Sequence, residues 1–433
     1  MIPICFQNFF IFTVLLISRS SATSSQSQCD AQLVESIPDG VKFEQDLGLK
    51  STHSTFLDII RGSKQSLQIA SFYWSMFCSD VNNSIPSSCQ KGEEVMQALT
   101  DALQAKVSVQ IAFSGKTEDI DKNEDLKLLR ENGAQVVGVD FERLLGSGIL
   151  HTKFMIADNK TLYIGSANMD WRSLTEVKEI GIYIQNCPLV AQDLEKIFQT
   201  YWILGQPGSQ VPSKWPAYLS TVYNMDNPMQ INLSGHQAKL YISNSPPALN
   251  PPGRTNDIDA LVKVIRSANS TIGIEVMDYM QTFYGSQKYW PVIDNALREA
   301  VFQKPININF LGTRWKYTKR NMLLSLKSLN KLRYVKWGGS INVKLLTVPS
   351  TEAQSLVDHS RVNHCKFIVT DNMLYLSTNN WSPNYFEKTA GVSFSLMFDS
   401  PALESSDSVD LRTRLEQVHA RDWHSEYSTY IPA

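Results

Sequence analysis

The chain has 433 residues, 43% of them hydrophobic and 10% aromatic, with 40 Lys and Arg against 42 Asp and Glu for a formal charge of −2. That size and apolar content suffice for one large core or two ordinary ones, and they exclude a low-complexity or heptad-built chain. The near-neutral balance excludes a general attraction to nucleic acid or anionic lipid, so any polyanion has to be held by a local cluster of positive groups.

The N-terminus reads as an export signal over residues 1–22. Phe9 to Ile17 is an apolar run, and Ser20-Ser21-Ala22 behind it are small residues suited to cleavage. The run is too short to span a bilayer. The preceding MIPICFQN lacks Lys and Arg, which leaves an uncleaved anchor as the rival reading. Cysteine usage fits export. Cys5 falls in the signal, and the odd set Cys29, Cys78, Cys89, Cys187 and Cys365 leaves at least one thiol without an intramolecular partner. Cys78 and Cys89 flank a loop that a disulfide could close, and Cys365 sits between His364 and Lys366. Cys29 with Cys187 would then tie the mature N-terminus to the first half. The alternative is that several are simply buried thiols. Neither CxxC nor Cys/His ligand spacing occurs, so zinc is not expected, and no cofactor is expected either. Asn82, Asn159, Asn232 and Asn269 begin glycosylation triplets. Asn380 begins another, expected to stay unmodified because it faces the pocket argued for below.

From residue 59 the chain is a duplication. IIRGSKQSLQIASFYW (59–74) returns 205 residues later as VIRSANSTIGIEVMDY (264–279), and His151 returns 213 residues later as His364. Each copy reads as an amphipathic helix, an apolar strand, a second helix (Gly92 to Ala105; Trp290 to Phe302), a second strand (VSVQIAFS; ININFLGT) and a motif strand. Such alternation implies an α/β sandwich with buried mixed or parallel sheets. Pro, Gly and Ser mark loops at 205–213 and 243–253. The division falls near residue 225, giving halves of 29–225 and 226–433. A pseudo-two-fold arrangement that brings the two motif strands together, with one active site between the halves, is the economical expectation.

The motifs are HTKFMIAD (151–158) and HCKFIVTD (364–371). On a strand, His151 and Lys153 share a face, as do His364 and Lys366. Asp158 and Asp371 stand at an odd offset and are expected to serve the following turns structurally. Next come Gly165-Ser166-Ala167-Asn168 and Ser377-Thr378-Asn379-Asn380, hydroxyls and amides suited to an oxyanion. Two His, two Lys and two Asn around one pocket suit a phosphodiester: cations and amides hold its oxygens, one imidazole attacks phosphorus and the other protonates the leaving oxygen. One HxK on an apolar strand means little, and the repetition singles this one out. His53, His236, His359, His419 and His424 lack such company and read as surface or structural groups. Phe72, Tyr73, Trp74, Trp171 and Trp381 are either base-stacking or acyl-lining aromatics, or core.

The paired HxKxxxxD motifs resemble the phospholipase D superfamily. ESIPDGVKF, IASFYWSM, LHTKFMIADNKTLYIGSANMDWRSL, YWILGQPGSQVPSKWP and VNHCKFIVTDN with NNWSPNYFEKTAG resemble its lysosomal, lumenal phospholipase D3 and D4 branch, over nearly the whole mature chain. The resemblance implies duplicated α-β-α sandwich halves and a metal-independent acid 5′-exonuclease on single-stranded DNA and RNA. The alternative it implies is a transphosphatidylase on lysophospholipid that forms bis(monoacylglycero)phosphate. It makes His151 and His364 nucleophile and general acid. Lys153, Lys366, Asn168 and Asn380, assisted by Ser166 and Thr378, would hold the phosphate, and a phosphohistidine is resolved by water or an alcohol. Glu179 matches the family position whose carboxylate orients the first-motif imidazole, which favours attack by His151. Aligning Gly391 with Gly181 puts Thr389 at that place in the second half. Location is the secretory pathway, lysosome lumen or outside the cell. Both half-sites lie in one chain, so a homodimer is possible without being required. Cys365 should point into the sheet-packing layer and be inert. An endonuclease would favour an open basic groove that the charge count does not announce, and intact motifs weigh against a silent binding protein.

Overall fold

Ser51 caps the helix Thr52–Gly62 by accepting the Ser54 N–H, and that helix buries Phe56, Ile59 and Ile60 at helical spacing beside the strand Ser66–Ser71. The second copy repeats the unit, with Leu261, Val264 and Ile265 of the helix Asp257–Ser267 buried beside the strand Thr271–Val276. The computed structural model describes residues 28–81, 85–334, 338–398 and 409–432. The export signal, Cys5 and the Asn82 triplet lie outside the described residues. No helix among the described residues is long and apolar enough to cross a membrane.

Each half builds a mixed sheet with the same central order. In the first, Gln28–Ser36, Glu179–Gln185, Thr161–Gly165, Phe154–Ala157 and Ser66–Ser71 pair antiparallel in succession, and Ser108–Ser114 and Gln135–Val139 follow in parallel. In the second, His236–Ser245, Gly391–Phe398, Met373–Ser377, Lys366–Thr370, Thr271–Val276, Asn307–Thr313 and Ser340–Leu346 take the same places. A short parallel pairing of Gln28–Cys29 with Asn232–Leu233 joins the sheets. Six of these strands are absent from the sequence reading: Gln28–Ser36, Gln135–Val139, Glu179–Gln185, His236–Ser245, Ser340–Leu346 and Gly391–Phe398. The expected loop at 243–253 also begins late, because Ser243, Asn244 and Ser245 pair with Ser393, Val392 and Gly391.

Alternation along the motif strands separates the layers. Phe154 and Ile156, with Cys365, Phe367 and Val369, face an apolar layer shared by both halves and by the helices Pro188–Leu204 and Leu411–His424. Met155 and Ala157 face the first half's outer core, and Ile368 the second's. Cys365 is thus the buried free thiol that was expected. Cys29–Cys187 and Cys78–Cys89 form the two expected disulfides, which fit an oxidising, non-cytosolic compartment. Buried ion pairs pin the halves together. Arg421 donates to both Glu35 oxygens at 2.9 and 2.7 Å, and Lys178 lies 2.5 Å from Asp422.

Candidate active site

The motifs meet because each is hydrogen-bonded into the opposite half. His151 N–H donates to the Ala390 carbonyl and Ala390 N–H to the Ile149 carbonyl, each at 2.9 Å. Reciprocally, His364 N–H donates to the Lys178 carbonyl at 2.8 Å and Lys178 N–H to the Val362 carbonyl at 2.9 Å. Both imidazoles are buried. Lys153 and Lys366 each donate to the carbonyl of the histidine two residues before, Lys366 at 2.6 Å.

This crossing decides which histidine has the carboxylate. Glu179 was expected beside His151, but it begins the strand that follows Lys178, and its oxygens lie 3.1 and 2.9 Å from His364 Nδ1. His151 Nδ1 instead faces the Thr378 carbonyl at 2.9 Å. In both rings Nδ1–H has an acceptor, so Nε2 is the atom left for chemistry. The second-half counterpart of Glu179 also needs correction. Ile180 N–H bonds the Ser166 hydroxyl, as Val392 N–H bonds that of Thr378, so Gly391 rather than Thr389 stands at the Glu179 position. No side chain fits there, because a Cβ on Gly391 would come within 2.0 Å of Asn379 Oδ1.

Burial, then the charges of Lys153, Lys366 and His364, hold the His151 imidazolium well below the usual histidine range. Burial also lowers His364, and Glu179 opposes it, so His364 keeps its proton to higher pH than His151. Burial would raise the Glu179 carboxyl, but the charge and hydrogen bond of His364, then Lys366 and Ser166, outweigh it and keep it low. Burial and Lys366 push Lys153 well down, and burial brings Lys366 to about 8.

A cavity of about 490 Å³ opens over this pair, lined by both histidines, Glu179, Asn168 and Asn380. The amides match across the pseudo-two-fold: Asn168 Nδ2 donates to the Tyr73 hydroxyl at 3.4 Å and Asn380 Nδ2 to that of Tyr385 at 3.1 Å. Both amide oxygens are buried without a partner among the described residues. Asn380 is 3% exposed, which leaves no room for a glycan, whereas Asn159 and Asn269 are exposed and Asn232 half-buried.

Other expected residues lie elsewhere. Ser166 and Thr378 are fully buried and do not line the cavity; their hydroxyls accept the backbone bonds just described, so they join strands rather than face a ligand. Lys153 and Lys366 also lie outside the lining, behind the histidine carbonyls. Asp158 and Asp371 serve the neighbouring strand rather than their own turns: Asp158 accepts the N–H groups of Lys64, Gln65 and Ser66 at 2.8–2.9 Å, and Asp371 that of Asn269 at 3.0 Å. Trp74, Trp171 and Trp381 are core, whereas Phe72 and Tyr73 line the cavity. His359, read as a surface or structural group, lines it too. So do Asp170, paired with Arg172, and Tyr284, Lys319 and Tyr385, which have no matching residue in the other copy. Tyr385 packs edge-on against His151 with centroids 4.9 Å apart, and Lys319 lies 3.6 Å over the Tyr284 ring.

Comparison with known proteins agrees with this geometry. A family model described as "PLD3/4, PLD-like domain" matches residues 44–351. The 5′-3′ exonuclease PLD3 of Xenopus laevis is 43% identical over 404 residues, covering 93% of this chain and 81% of its own. That of Homo sapiens is 43% identical over 403 residues, covering 92% and 80%. The phosphatidylserine synthase of Haemophilus influenzae superposes with a TM-score of 0.56 at 11% identity, over 87% of this chain and 85% of that one, a likeness of fold alone.

Proposed function

The chain belongs to the PLD3/4 family of phospholipase D-like proteins, and on that premise we propose that it is a lumenal 5′-3′ exonuclease on single-stranded DNA or RNA, working without a metal through a phosphohistidine. The observation that carries the chemistry is the pair of buried imidazoles, each with Nδ1 engaged and Nε2 free, one facing a carbonyl and the other a carboxylate. Attack needs a neutral ring and leaving-group protonation a charged one. His151, whose proton is lost first, is the nucleophile, and His364, supported by Glu179, is the acid. His151 Nε2 bonds phosphorus as the ester P–O bond breaks, and the leaving oxygen takes the proton from His364. Neutral His364 then removes a proton from water, which displaces His151. Asn168 and Asn380 hold the phosphate oxygens from the cavity wall. Lys153 and Lys366 supply positive charge from behind the histidine carbonyls. We place the change from one half to the other near residue 225 and the protein in the lysosome or outside the cell.

The test is release of mononucleotides from single-stranded DNA bearing a 5′-hydroxyl or a 5′-phosphate, at about pH 5 in excess chelator. Shortening from the 5′-hydroxyl end that resists the chelator and disappears in His151→Ala is the expected result. Cleavage that stops with chelator contradicts the metal-free mechanism. No release from a folded enzyme that instead transfers the lysophosphatidyl group of lysophosphatidylglycerol to an acylglycerol, releasing glycerol, makes the lipid reading the correct one.

A further inference from the structure

Residues 314–320, RWKYTKR, alternate cationic and aromatic side chains, placing four of the chain's 40 Lys and Arg in a stretch without a carboxylate. The segment follows the strand Asn307–Thr313 and turns back on itself, with Thr318 N–H donating to the Trp315 carbonyl at 3.1 Å and Trp315 N–H to the Thr318 hydroxyl at 2.8 Å. Trp315 and Lys319 line the histidine cavity. Trp315 and His359 also line a second cavity of about 430 Å³, whose wall carries Arg314, Lys316 and Tyr317. The two cavities therefore adjoin across Trp315 and His359.

The chemistry changes from one cavity to the other. Tyr317 stacks on His359, with centroids 4.8 Å apart and planes 24° from parallel. Lys316 sits 5.2 Å from the Tyr317 ring and pairs with Asp358 at 2.9 Å. Arg314 is exposed, and its guanidinium has no partner among the described residues. An acyl chain is served by an unbroken apolar wall, whereas cations spaced between aromatic faces suit a backbone of phosphates carrying bases. In a chain of net charge −2 this turn is the local cationic cluster that a polyanion requires.

We infer that this turn is a second subsite, holding the single-stranded nucleotides beyond the phosphodiester bound between His151 and His364. Arg314 and Lys316 contact phosphate oxygens, and the Tyr317–His359 stack offers its face to a base. The inference rests on the nuclease reading, so its test separates the two. The wild type, Tyr317→Ala and a double variant, Arg314→Ala with Lys316→Ala, are assayed on a 5′-hydroxyl dinucleotide and on a single strand of about ten nucleotides, at two salt concentrations. The wild type is expected to show a lower KM for the longer strand. Each variant should raise that KM on the order of tenfold while leaving kcat/KM for the dinucleotide unchanged, and the double variant should also weaken its salt dependence. Equal KM values for both lengths in the wild type, or variants that change neither substrate or both alike, overturn the subsite. Cleavage of neither substrate by the wild type removes the nuclease reading, and the subsite with it.

Discussion

Glu179 shows how much one side chain decides. Its carboxylate opposes the loss of charge that burial imposes on His364, whereas His151 faces only a carbonyl and is lowered further, so activity requires a pH between the two transitions. The expected pH profile is a bell whose acid limb is set by His151 and whose basic limb is set by His364. Replacing Glu179 with Gln withdraws the charge that raises His364, so the basic limb should move to lower pH by about one unit, with kcat reduced about a hundredfold. A limb that stays in place would show that Glu179 does not act on the acid. The identities of the histidines, lysines and asparagines were legible because two motifs repeated the same pattern. The partner of Glu179 was not, because a repeat aligns one half with itself, whereas Lys178 and Asn363 bridge from one half to the other. Tyr284, Lys319, His359 and Tyr385 were missed because the segments carrying them differ in sequence between the halves, so the repeat does not mark them; Tyr385 stands in the helix Pro383–Glu387, whose counterpart is Arg172–Thr175.

Among elements, the motif strands are fixed by their far ends. Asp158 ties the end of Phe154–Ala157 to the start of Ser66–Ser71 through three backbone N–H groups. Although burial opposes ionisation, those bonds hold its carboxyl below the usual aspartate range. With the folded value below the unfolded one, its stabilisation is present above the unfolded pKa and is lost as pH falls through the folded pKa, so it persists at about pH 5. Asp158→Ala should therefore unfold at lower urea, losing about 2 kcal/mol, with kcat per folded molecule unchanged. A comparable loss of kcat would place Asp158 in the chemistry. Helices and apolar strands were readable from their periods, while Gln135–Val139 and Ser340–Leu346 escaped notice. They were found only as the third parallel strand of each sheet, where pairing with Ser108–Ser114 and Asn307–Thr313 sets their register.

At the scale of the molecule, the site exists only while the halves hold their mutual position. The helix Leu411–His424 supplies Arg421 to Glu35 of the first sheet and Asp422 to Lys178, the residue beside Glu179. Removing one member of such a buried pair leaves the other charge without compensation, so Arg421→Ala should cost about 3–5 kcal/mol, measured as a fall in unfolding midpoint. A midpoint within error of the wild type would mean that the helix does not hold the halves together. The duplication itself was legible from the 205-residue repeat, but this strapping was not, since neither Arg421 nor Glu35 lies in a repeated motif.

Turnover of a 5′-hydroxyl single strand quenched in alkaline denaturant, which preserves the acid-labile P–N bond, followed by mass mapping of the peptides carrying residues 148–154 and 362–368, tests the shared site most directly. A nucleoside-phosphoryl adduct on His151, absent from His151→Ala, is the expected result. An adduct on His364 would reverse the assignment, and turnover of the wild type with no adduct on either histidine would contradict the covalent mechanism.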